Sequence, residues 1–442
     1  MSEHPVSGHP VSWDPVRWQG TLDRLCRKHS VPGASLAVLA GGEVYGVASG
    51  VVTAGTGVAA TTDAVFQVGS ISKAYTTTIL ARLVQQGRVE LDTRVREVVP
   101  EFRLATAGAA DAITVRHLLA HTSGIDGDFF RDTGRGDDCV ARYVAQCAEL
   151  ALVHPVGQGM SYSNAGFVVA GRVVERLTGA VWDTALRSHV LDPLGVMHTG
   201  TLPEEMLRYR AAIGHEDGAP VRRIGMPRSI GPAGNVWASA PDVIEFVRLH
   251  LSDPALAFLR EPQAEGPDAG RPVRRALGWA QYGWDGREVF GHDGETIGQF
   301  AYLRVVPDRQ VAVVLLTNGY ANPLYLELFT ELLAEFADLA VPAFTVPDEP
   351  ADADIAPWCG TYRNIARTVT VESRRGNPWV TTRYAGELMD EPVVQEIRLT
   401  PVGDGLYADP GDAYPRSWNF RRLPGGHPYL HVGGRLLPRV GA

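Results

Sequence analysis

The sequence predicts a mixed α/β (α+β) domain followed by a small antiparallel β domain, either a barrel or a sandwich. Three observations predict this. Helical and strand periodicities alternate along the first three quarters of the chain, residues 346–356 are acidic and rich in proline, and short strand-like segments follow with almost no helical period. We therefore divide the 442 residues into a flexible tail (1–12), a mixed domain (13–345), a linker (346–356) and a β domain (357–442).

Helices are predicted where apolar residues recur every three to four positions. The first runs from Trp13 to about His29. The second starts near Ser70 and reaches Gly87, a residue type that often ends helices. Thr114 is a candidate N-cap for the segment ITVRHLLAHTSG. Later helices are predicted at Ala165–Thr178, Ala240–Leu251 and Leu324–Leu339.

Strands are predicted where short apolar or alternating runs are bounded by turn residues. Gly41-Gly42 joins the first two as a hairpin, and Pro307-Asp308 turns the last pair of the mixed domain. The predicted strands are Ala34–Ala40, Glu43–Val51, Glu288–Gly291, Gln299–Val306 and Gln310–Thr317. From residue 357 about eight further short strands are expected.

Composition and charge exclude several classes of protein. A net charge of −9 without basic blocks argues against a nucleic-acid or membrane-surface partner. The N-terminus lacks a basic region followed by an apolar one, so we predict no signal peptide and a cytoplasmic location. The four cysteines are scattered, which favours reduced thiols over disulfides or a zinc site. No cofactor or metal is implied.

The strongest chemical motif is Ser70-Ile71-Ser72-Lys73, at the start of the second helix. Residues three apart share a helix face, so the Ser70 hydroxyl and the Lys73 amine can meet. Serine needs a base to become a nucleophile, and a desolvated lysine can be that base, whereas arginine cannot. Of the 41 basic residues, 39 are arginine, so a lysine kept here is informative. Taken alone, Ser-x-x-Lys is a weak pattern, and a helix N-cap serine beside a surface lysine would be the favoured interpretation.

Two further motifs supply partners for this pair. Tyr162 and Asn164 lie two residues apart, so in extended backbone both side chains face the same way. They could instead be a packing aromatic and a helix N-cap. The segment Gly291-His292-Asp293-Gly294 ends a predicted strand, where Gly294 would let a substrate approach and the amide of Glu295 could join that of Ser70 in an oxyanion hole. A tight turn would explain those glycines as well.

Ser-x-x-Lys, Tyr-x-Asn and a late His-x-Gly, in this order, resemble the serine β-lactamase-like family of class C β-lactamases, DD-peptidases, esterases, D-aminopeptidases and acyltransferases. The resemblance covers about residues 15–340 and implies a transpeptidase-like fold with an all-α subdomain. It implies Ser70 as the acylated nucleophile, Lys73 and Tyr162 as the proton-transfer pair, Asn164 as a contact for the substrate amide, and a catalytic-site position for His292. It adds no cofactor.

His292 stands where the penicillin-hydrolysing branch has a lysine, which disfavours β-lactam hydrolysis. Relatives that carry a lipocalin-like barrel include penicillin-binding-protein-type thioesterases, which cyclise nonribosomal peptides. We therefore expect hydrolysis or transfer of an ester, amide or thioester in small-molecule or peptide natural-product metabolism, with such a thioesterase as an alternative. Arg435 and Arg439 are candidate contacts for a substrate carboxylate, or ordinary surface arginines.

Three competing interpretations are weaker. No G-x-S-x-G motif is present, which disfavours an α/β-hydrolase. His117 and His121 have metal-ligand spacing, but the segment HLLAH lacks the glutamate of HExxH. A binding protein without catalytic activity would not need a nucleophile paired with a base. The sequence leaves the oligomeric state open.

Overall fold

The computed structural model describes residues 12–266, 273–342, 346–387, 391–403, 405–411 and 417–441. All of the predicted tail except Ser12 therefore lies outside the described residues. The chain forms a mixed α/β domain on one central antiparallel sheet, followed by a separate antiparallel β domain. This architecture confirms the predicted fold class. Among the described residues, no helix is long and apolar enough to cross a membrane.

The central sheet has eight antiparallel strands in the order β2-β1-β8-β7-β6-β5-β4-β3. The first and last strands of the domain along the chain lie side by side in the sheet, because β1 pairs with β8. The strands are β1 (Gly33–Ala40), β2 (Glu43–Gly50), β3 (Ala264–Gly266), β4 (Val273–Arg275), β5 (Ala280–Trp284), β6 (Arg287–Glu295), β7 (Phe300–Val306) and β8 (Val311–Thr317). Short two-residue strands lie outside this sheet at Phe66–Gln67, Thr199–Gly200, His215–Glu216, Ala219–Pro220 and Trp237–Ala238.

Helices cover both faces of the sheet. The longer ones are α1 (Pro15–Lys28), α2 (Ser72–Gln85), α3 (Cys139–Gln146), α4 (Asn164–Thr178), α5 (Ala240–Ser252) and α6 (Asn322–Ala337). Shorter helices are Val95–Val98, Ala109–Ala112, Val115–Leu119, Trp182–Leu186, Asp192–Leu194, Pro203–Met206 and Gly231–Gly234. Most of the short helices pack against α4 in the helical part of the domain.

The core alternates along each central strand. In β8, Val313 and Leu315 pack with α1 and α6, whereas Val314 and Leu316 face the opposite core, which holds α2, α4 and α5. Because side chains alternate between the faces of a strand, a fully apolar strand indicates a sheet covered on both sides. All seven residues of β8 are buried. The sheet thus separates two apolar layers, and the predicted catalytic motifs lie on the α2 side.

The β domain is a nearly closed antiparallel barrel. Its strands, in sheet order β12-β11-β10-β9-β17-β16-β15-β14-β13, are β9 (Gly360–Arg363), β10 (Arg367–Arg374), β11 (Asn377–Tyr384), β12 (Val393–Arg398), β13 (Thr400–Gly403), β14 (Leu406–Ala408), β15 (Ser417–Arg422), β16 (Pro428–Val432) and β17 (Arg435–Val440). The two ends of the sheet, β12 and β13, are separated by Leu399 alone. The chain therefore passes directly from one edge strand of the sheet into the other.

The barrel packs on the mixed domain through the hairpin of β16 and β17. The carbonyl of Gly434, in the turn of this hairpin, accepts a hydrogen bond of 2.8 Å from the Tyr162 amide. The amide of Leu436 donates to Ser161 Oγ at 3.1 Å. The amide of Ile365, in the loop between β9 and β10, donates to Asp126 at 2.7 Å. The barrel thereby contacts the backbone on which Tyr162 is placed.

Candidate active site

Ser70 lies in a tight helical turn, Gly69–Ile71, that leads directly into α2. Gly69 has a φ of +52°, and a Cβ there would lie 2.6 Å from the amide nitrogen of Glu295 on β6. Only glycine fits both the backbone conformation and this close approach. Ser72 fixes the turn, since its hydroxyl donates to the Gly69 carbonyl and accepts from the Val236 amide. The nucleophile candidate is therefore held against the end of a central strand.

Lys73 is completely buried one helical turn after Ser70. Its Nζ lies 3.0 Å from Ser70 Oγ and donates a hydrogen bond of 2.7 Å to the Ala233 carbonyl. Burial lowers the pKa of this amine well below its ordinary value, and the positive charge of Arg435 lowers it further. An uncharged lysine has a lone pair that can accept the hydroxyl proton of Ser70.

Tyr162 is held between its neighbours on every side. His121 stacks on its ring at 4.2 Å. The His121 carbonyl accepts from the Ser161 amide, and the His121 Nδ1 accepts from the Ser163 amide at 3.0 Å. The Tyr162 hydroxyl is near enough to Ser70 to interact with it, although it makes no hydrogen bond of normal geometry with a described residue. Burial raises the pKa of Tyr162 to about 12, so the phenol is protonated at neutral pH.

Three basic side chains lie around the Tyr162 ring. Lys73 Nζ lies 4.7 Å from the ring centroid, Arg435 Cζ lies 4.7 Å from it, and Arg275 Cζ lies 5.5 Å from it. Arg435 comes from β17 of the barrel, so both domains contribute charge to the site. The positive charges of Arg435 and Arg275 disfavour protonation of Lys73 and so help to keep its amine in the basic form.

Asn164 is the first residue of α4, and the N-cap is Ser163, whose hydroxyl accepts from the Gly166 amide. The capping role that would have explained Asn164 therefore belongs to its neighbour. The Asn164 Nδ2 donates 3.0 Å to Asp128 Oδ1. Asp128 is buried and also accepts a two-point contact from Arg435 at 2.9 and 3.0 Å. Asn164 is thus fixed from behind by a buried ion pair.

His292 lies inside strand β6, which continues to Glu295, and not in a turn at the end of a strand. The turn that could have explained the flanking glycines is absent there because β6 keeps its antiparallel register with β7 up to Glu295. His292 Nδ1 contacts the Asp293 carbonyl at 2.6 Å, which places the proton on Nδ1. The buried Nε2 has no partner among the described residues. Burial lowers the pKa of His292 well below its ordinary value, so the ring is neutral.

The amides of Ser70 and Glu295 are brought together by the packing of β6 on the Ser70 turn. A Cβ at Gly294 would lie 1.9 Å from the Val68 carbonyl and 3.1 Å from the Ser70 amide nitrogen. Together with the 2.6 Å approach of a Cβ on Gly69 to the Glu295 amide nitrogen, this brings the backbone amides of Ser70 and Glu295 close to each other beside the nucleophile candidate. Two such donors are what a developing oxyanion requires.

The predicted carboxylate contacts have separate positions. Arg435 lies over Tyr162, and its guanidinium is paired with Asp128. Arg439 packs in the barrel, where a Cβ on Gly360 would lie 2.6 Å from its Nε. Arg275 was not predicted, yet it is the arginine beside Tyr162 whose side chain makes no hydrogen bond or ion pair within the described part of the chain, and its Nε is buried. No local motif marks Arg275, since its position depends on β4 and on the docked barrel.

His121 and Asp128 are also residues that the sequence analysis did not place in the site. The histidine spacing of HLLAH suggested a metal only weakly, and no group of described residues could hold a metal ion. His121 instead has φ of +58°, a rare conformation for a residue with a side chain, and that geometry turns its ring onto Tyr162. In the segment AHTSG, the Thr-Ser-Gly that follows His121 favours an irregular backbone. This was the signal in the sequence that could have marked the histidine as a positioned residue.

A buried lysine lies beside a serine at a helix start, with a tyrosine next to them and the backbone amides of Ser70 and Glu295 alongside, and this arrangement is typical of serine hydrolases. The comparisons with known proteins agree. Residues 18–337 match the Beta-lactamase family model, and the chain is 46% identical over 367 residues to Penicillin-binding protein 4 of Amycolatopsis lactamdurans, covering 78% of this chain and 96% of that protein. The chain belongs to the β-lactamase family of serine hydrolases, which confirms the resemblance.

Two solved structures cover both domains. The structure of SurE with D-Leu has a TM-score of 0.77 at 28% identity, over 96% of this chain and 99% of that chain. The octameric penicillin-binding protein homologue from Pyrococcus abyssi has a TM-score of 0.68 at 18% identity, over 97% of this chain and 100% of that chain. The combination of catalytic domain and barrel is therefore shared with other proteins of known structure.

Proposed function

We propose that the protein transfers acyl groups through an ester on Ser70, taking an ester, amide or thioester as donor and water or an amine as acceptor. The observation that carries this proposal is the 3.0 Å approach of the buried Lys73 amine to Ser70 Oγ. A lysine with a pKa well below its ordinary value is a base at neutral pH, and a helix start favours the negative charge that develops beside it.

In the proposed reaction Lys73 takes the Ser70 proton as Oγ attacks the donor carbonyl. The amides of Ser70 and Glu295 stabilise the oxyanion of the tetrahedral intermediate. Tyr162 passes a proton to the leaving group and regains one from Lys73, which leaves acyl-Ser70. The acceptor then attacks this ester and loses its proton to the same pair, releasing the product. The Nε2 of neutral His292, which has no partner in the part of the chain that the structure describes, can accept a hydrogen bond in this site.

The finer proposal concerns the donor. SurE, which matches both domains, has been solved with D-Leu, and this supports a donor that ends in a D-amino acid residue. A penicillin-binding-protein-type thioesterase that cyclises a nonribosomal peptide is one form of that activity. Hydrolysis of β-lactams is disfavoured because neutral His292 supplies no fixed cation where a lysine would hold the lactam carboxylate.

A carboxylate on the substrate is proposed to bind Arg275. Arg435 already satisfies Asp128, and Arg439 contacts barrel residues, whereas Arg275 has no anionic partner among the described residues. A guanidinium beside Tyr162 that has no partner within the described ranges is the cation best able to donate a charge-assisted hydrogen bond to such a carboxylate. Arg435 can contribute its charge at a distance while it stays paired.

Intact mass spectrometry tests the acyl-enzyme. The protein is mixed with a p-nitrophenyl ester, a peptidyl thioester with a C-terminal D-residue, a D-amino-acid amide and a penicillin. The penicillin is included because a relative with 46% identity is named for binding it. We expect an acyl mass on the wild type and none on Ser70→Ala. An adduct that survives in Ser70→Ala would refute Ser70 as the nucleophile, and no adduct with any probe would refute the mechanism and favour a binding protein.

Lys73→Arg tests the base separately. Arginine keeps a positive charge but does not give up its proton at working pH. Because general base catalysis contributes about 10²–10⁴-fold, acylation should slow by that order. The rate of acyl-Ser70 formation is measured with the p-nitrophenyl ester. Acylation at the wild-type rate would show that another group takes the Ser70 proton.

A further inference from the structure

Asp128 connects the barrel to the substrate-binding side of the active site. Its carboxylate is buried in the mixed domain and accepts from Asn164 Nδ2 on one oxygen, at 3.0 Å. The same oxygen accepts from Arg435 at 2.9 Å, and the other accepts from Arg435 Nε at 3.0 Å. Arg367 of strand β10 lies 3.9 Å from that second oxygen. One carboxylate thus holds an active-site amide and two arginines of the barrel.

The contact also fixes which atoms Asn164 offers to a substrate. One N–H of its amide is used by Asp128. The Asn164 Oδ1 has no hydrogen-bond partner among the described residues. It is not among the fully buried atoms that lack a partner, so the atom is accessible. Asn164 therefore keeps one acceptor and one remaining donor, which is the complement of a secondary amide. A flipped Asn164 would direct its oxygen at the Asp128 carboxylate, which is repulsive.

We propose that Asp128 is a positioning residue, which orients Asn164 to read a secondary amide in the acyl donor, and that the barrel holds Asp128 through Arg435. The inference rests on the proposed function and adds to it a role for the barrel: the domain is part of the substrate selectivity of the site. The ionised state of Asp128 agrees with this role, because burial raises its pKa but Arg435 and Arg367 outweigh burial and lower it.

Two esters of equal chain length separate this role from general damage. The p-nitrophenyl ester of N-acetylglycine carries a secondary amide, and p-nitrophenyl pentanoate carries methylene groups in its place. The measured quantity is the ratio of their kcat/KM values. We expect the wild type to prefer the amide ester. In Asp128→Asn, which keeps the size but not the charge, the ratio should fall roughly tenfold, the value of one or two hydrogen bonds.

Asp126→Asn is the matched control. Asp126 lies two residues away, is half-buried at the barrel interface and accepts from the Ile365 amide, but it makes no hydrogen bond with Asn164. We expect it to keep the wild-type ratio. Asn164→Ala should lose the ratio, and Asp128→Asn should then add nothing in that background, because both changes remove the same contact.

Arg435→Lys serves if Asp128→Asn does not fold. It keeps the charge but loses the two-point contact, so a partial fall in the ratio is expected. The inference is overturned if the wild type does not distinguish the two esters, if Asp128→Asn slows both by the same factor, or if Asp126→Asn lowers the ratio as much. Failure of the wild type to form acyl-Ser70 with either ester would instead overturn the proposed function.

Discussion

At the scale of single residues, the proposed chemistry depends on a tyrosine that is held by its ring and backbone, while its hydroxyl makes no hydrogen bond of normal geometry with a described residue. Tyr162 is placed by the ring and backbone of His121 on one side and by the Gly434 carbonyl of the barrel on the other. Such placement leaves the phenol free to exchange protons with Ser70 and Lys73. It also makes the position of Tyr162 dependent on His121, whose pKa burial lowers well below its ordinary value, so that its ring is neutral.

Replacement of His121 by phenylalanine should separate stacking from hydrogen bonding. His121→Phe keeps a ring against Tyr162 but leaves the buried Ser163 amide without its acceptor, which costs about 1–3 kcal/mol. We expect a lower urea midpoint and a lower kcat with little change in KM, because the substrate contacts remain. His121→Asn, which tolerates a positive φ and retains an acceptor, should recover part of the stability. An unchanged kcat in His121→Phe would show that Tyr162 needs no such support.

At the scale of elements, the active site is assembled where strand β6 packs on the turn before α2. The contact is so close that glycine is required on both sides, at Gly69 and at Gly294. The opposite face of β6 also makes a close contact, since Asp293 forms an ion pair with the buried Arg304 at 2.6 Å. The strand therefore cannot move toward one core without breaking a contact in the other, and this fixes the amide of Glu295.

A methyl group on Gly294 should displace this amide. In Gly294→Ala the new Cβ would lie 1.9 Å from the Val68 carbonyl and 3.1 Å from the Ser70 amide nitrogen, so β6 must shift. Loss of one oxyanion donor costs about 10²–10³-fold in rate. We expect acylation of Ser70 by a p-nitrophenyl ester to slow by that order.

Gly283→Ala provides the comparison for this change. Gly283 lies in the neighbouring strand β5, and a Cβ there meets nothing within 4 Å. The variant should acylate at the wild-type rate, since strands accept alanine where space is open. If Gly294→Ala acylates as fast as Gly283→Ala, the Glu295 amide is not part of the oxyanion hole.

At the scale of the whole molecule, the sequence patterns predicted those elements whose structure depends mainly on residues close to one another in the chain. Helix α2, the hairpin of β1 and β2 and helix α4 were predicted within a few residues, because caps, glycine turns and apolar periods act over short distances. The motifs around Ser70 and Tyr162 were also visible for this reason. The structure brings those motifs together, while the chemical role of each residue stays a prediction.

Contacts between domains were beyond the sequence. Asp128 and Arg435 are 307 positions apart, and nothing near either residue indicates the other. His292 was expected at the end of a strand because glycines signal turns, whereas antiparallel pairing with β7 continues β6 through them. Arg275 and Arg435 are two of 39 arginines, and only tertiary packing distinguishes them from the rest.

The same packing makes the molecule sensitive to acid. Burial lowers the pKa of His431, on strand β16 of the barrel, to about 3, and the charges of Arg421, Arg275, Arg435 and Arg367 lower it further. The unfolded chain takes up a proton here near pH 6.5, and the folded chain does so only near pH 3. Stability contributed by neutral His431 is thus full above pH 6.5 and is lost as the pH falls, by up to about 1.4 kcal/mol per pH unit.

Asp126 acts in the opposite direction, since burial raises its pKa to about 7, so the folded state binds its proton more tightly than the unfolded state does. A variant of His431 is therefore needed to separate its effect on the pH dependence of stability from that of Asp126. Burial lowers the pKa of His121 and of His292 as well, so the wild type should lose stability steeply between pH 7 and pH 5.

In His431→Phe the slope of unfolding free energy against pH should be smaller by the equivalent of about one proton, because phenylalanine binds none and buries no unpaired nitrogen. Urea unfolding at half-unit steps from pH 7.5 to pH 5 measures both slopes. Parallel curves for the two proteins would mean that His431 does not stay neutral in the folded state, and that the barrel interface tolerates a charge there.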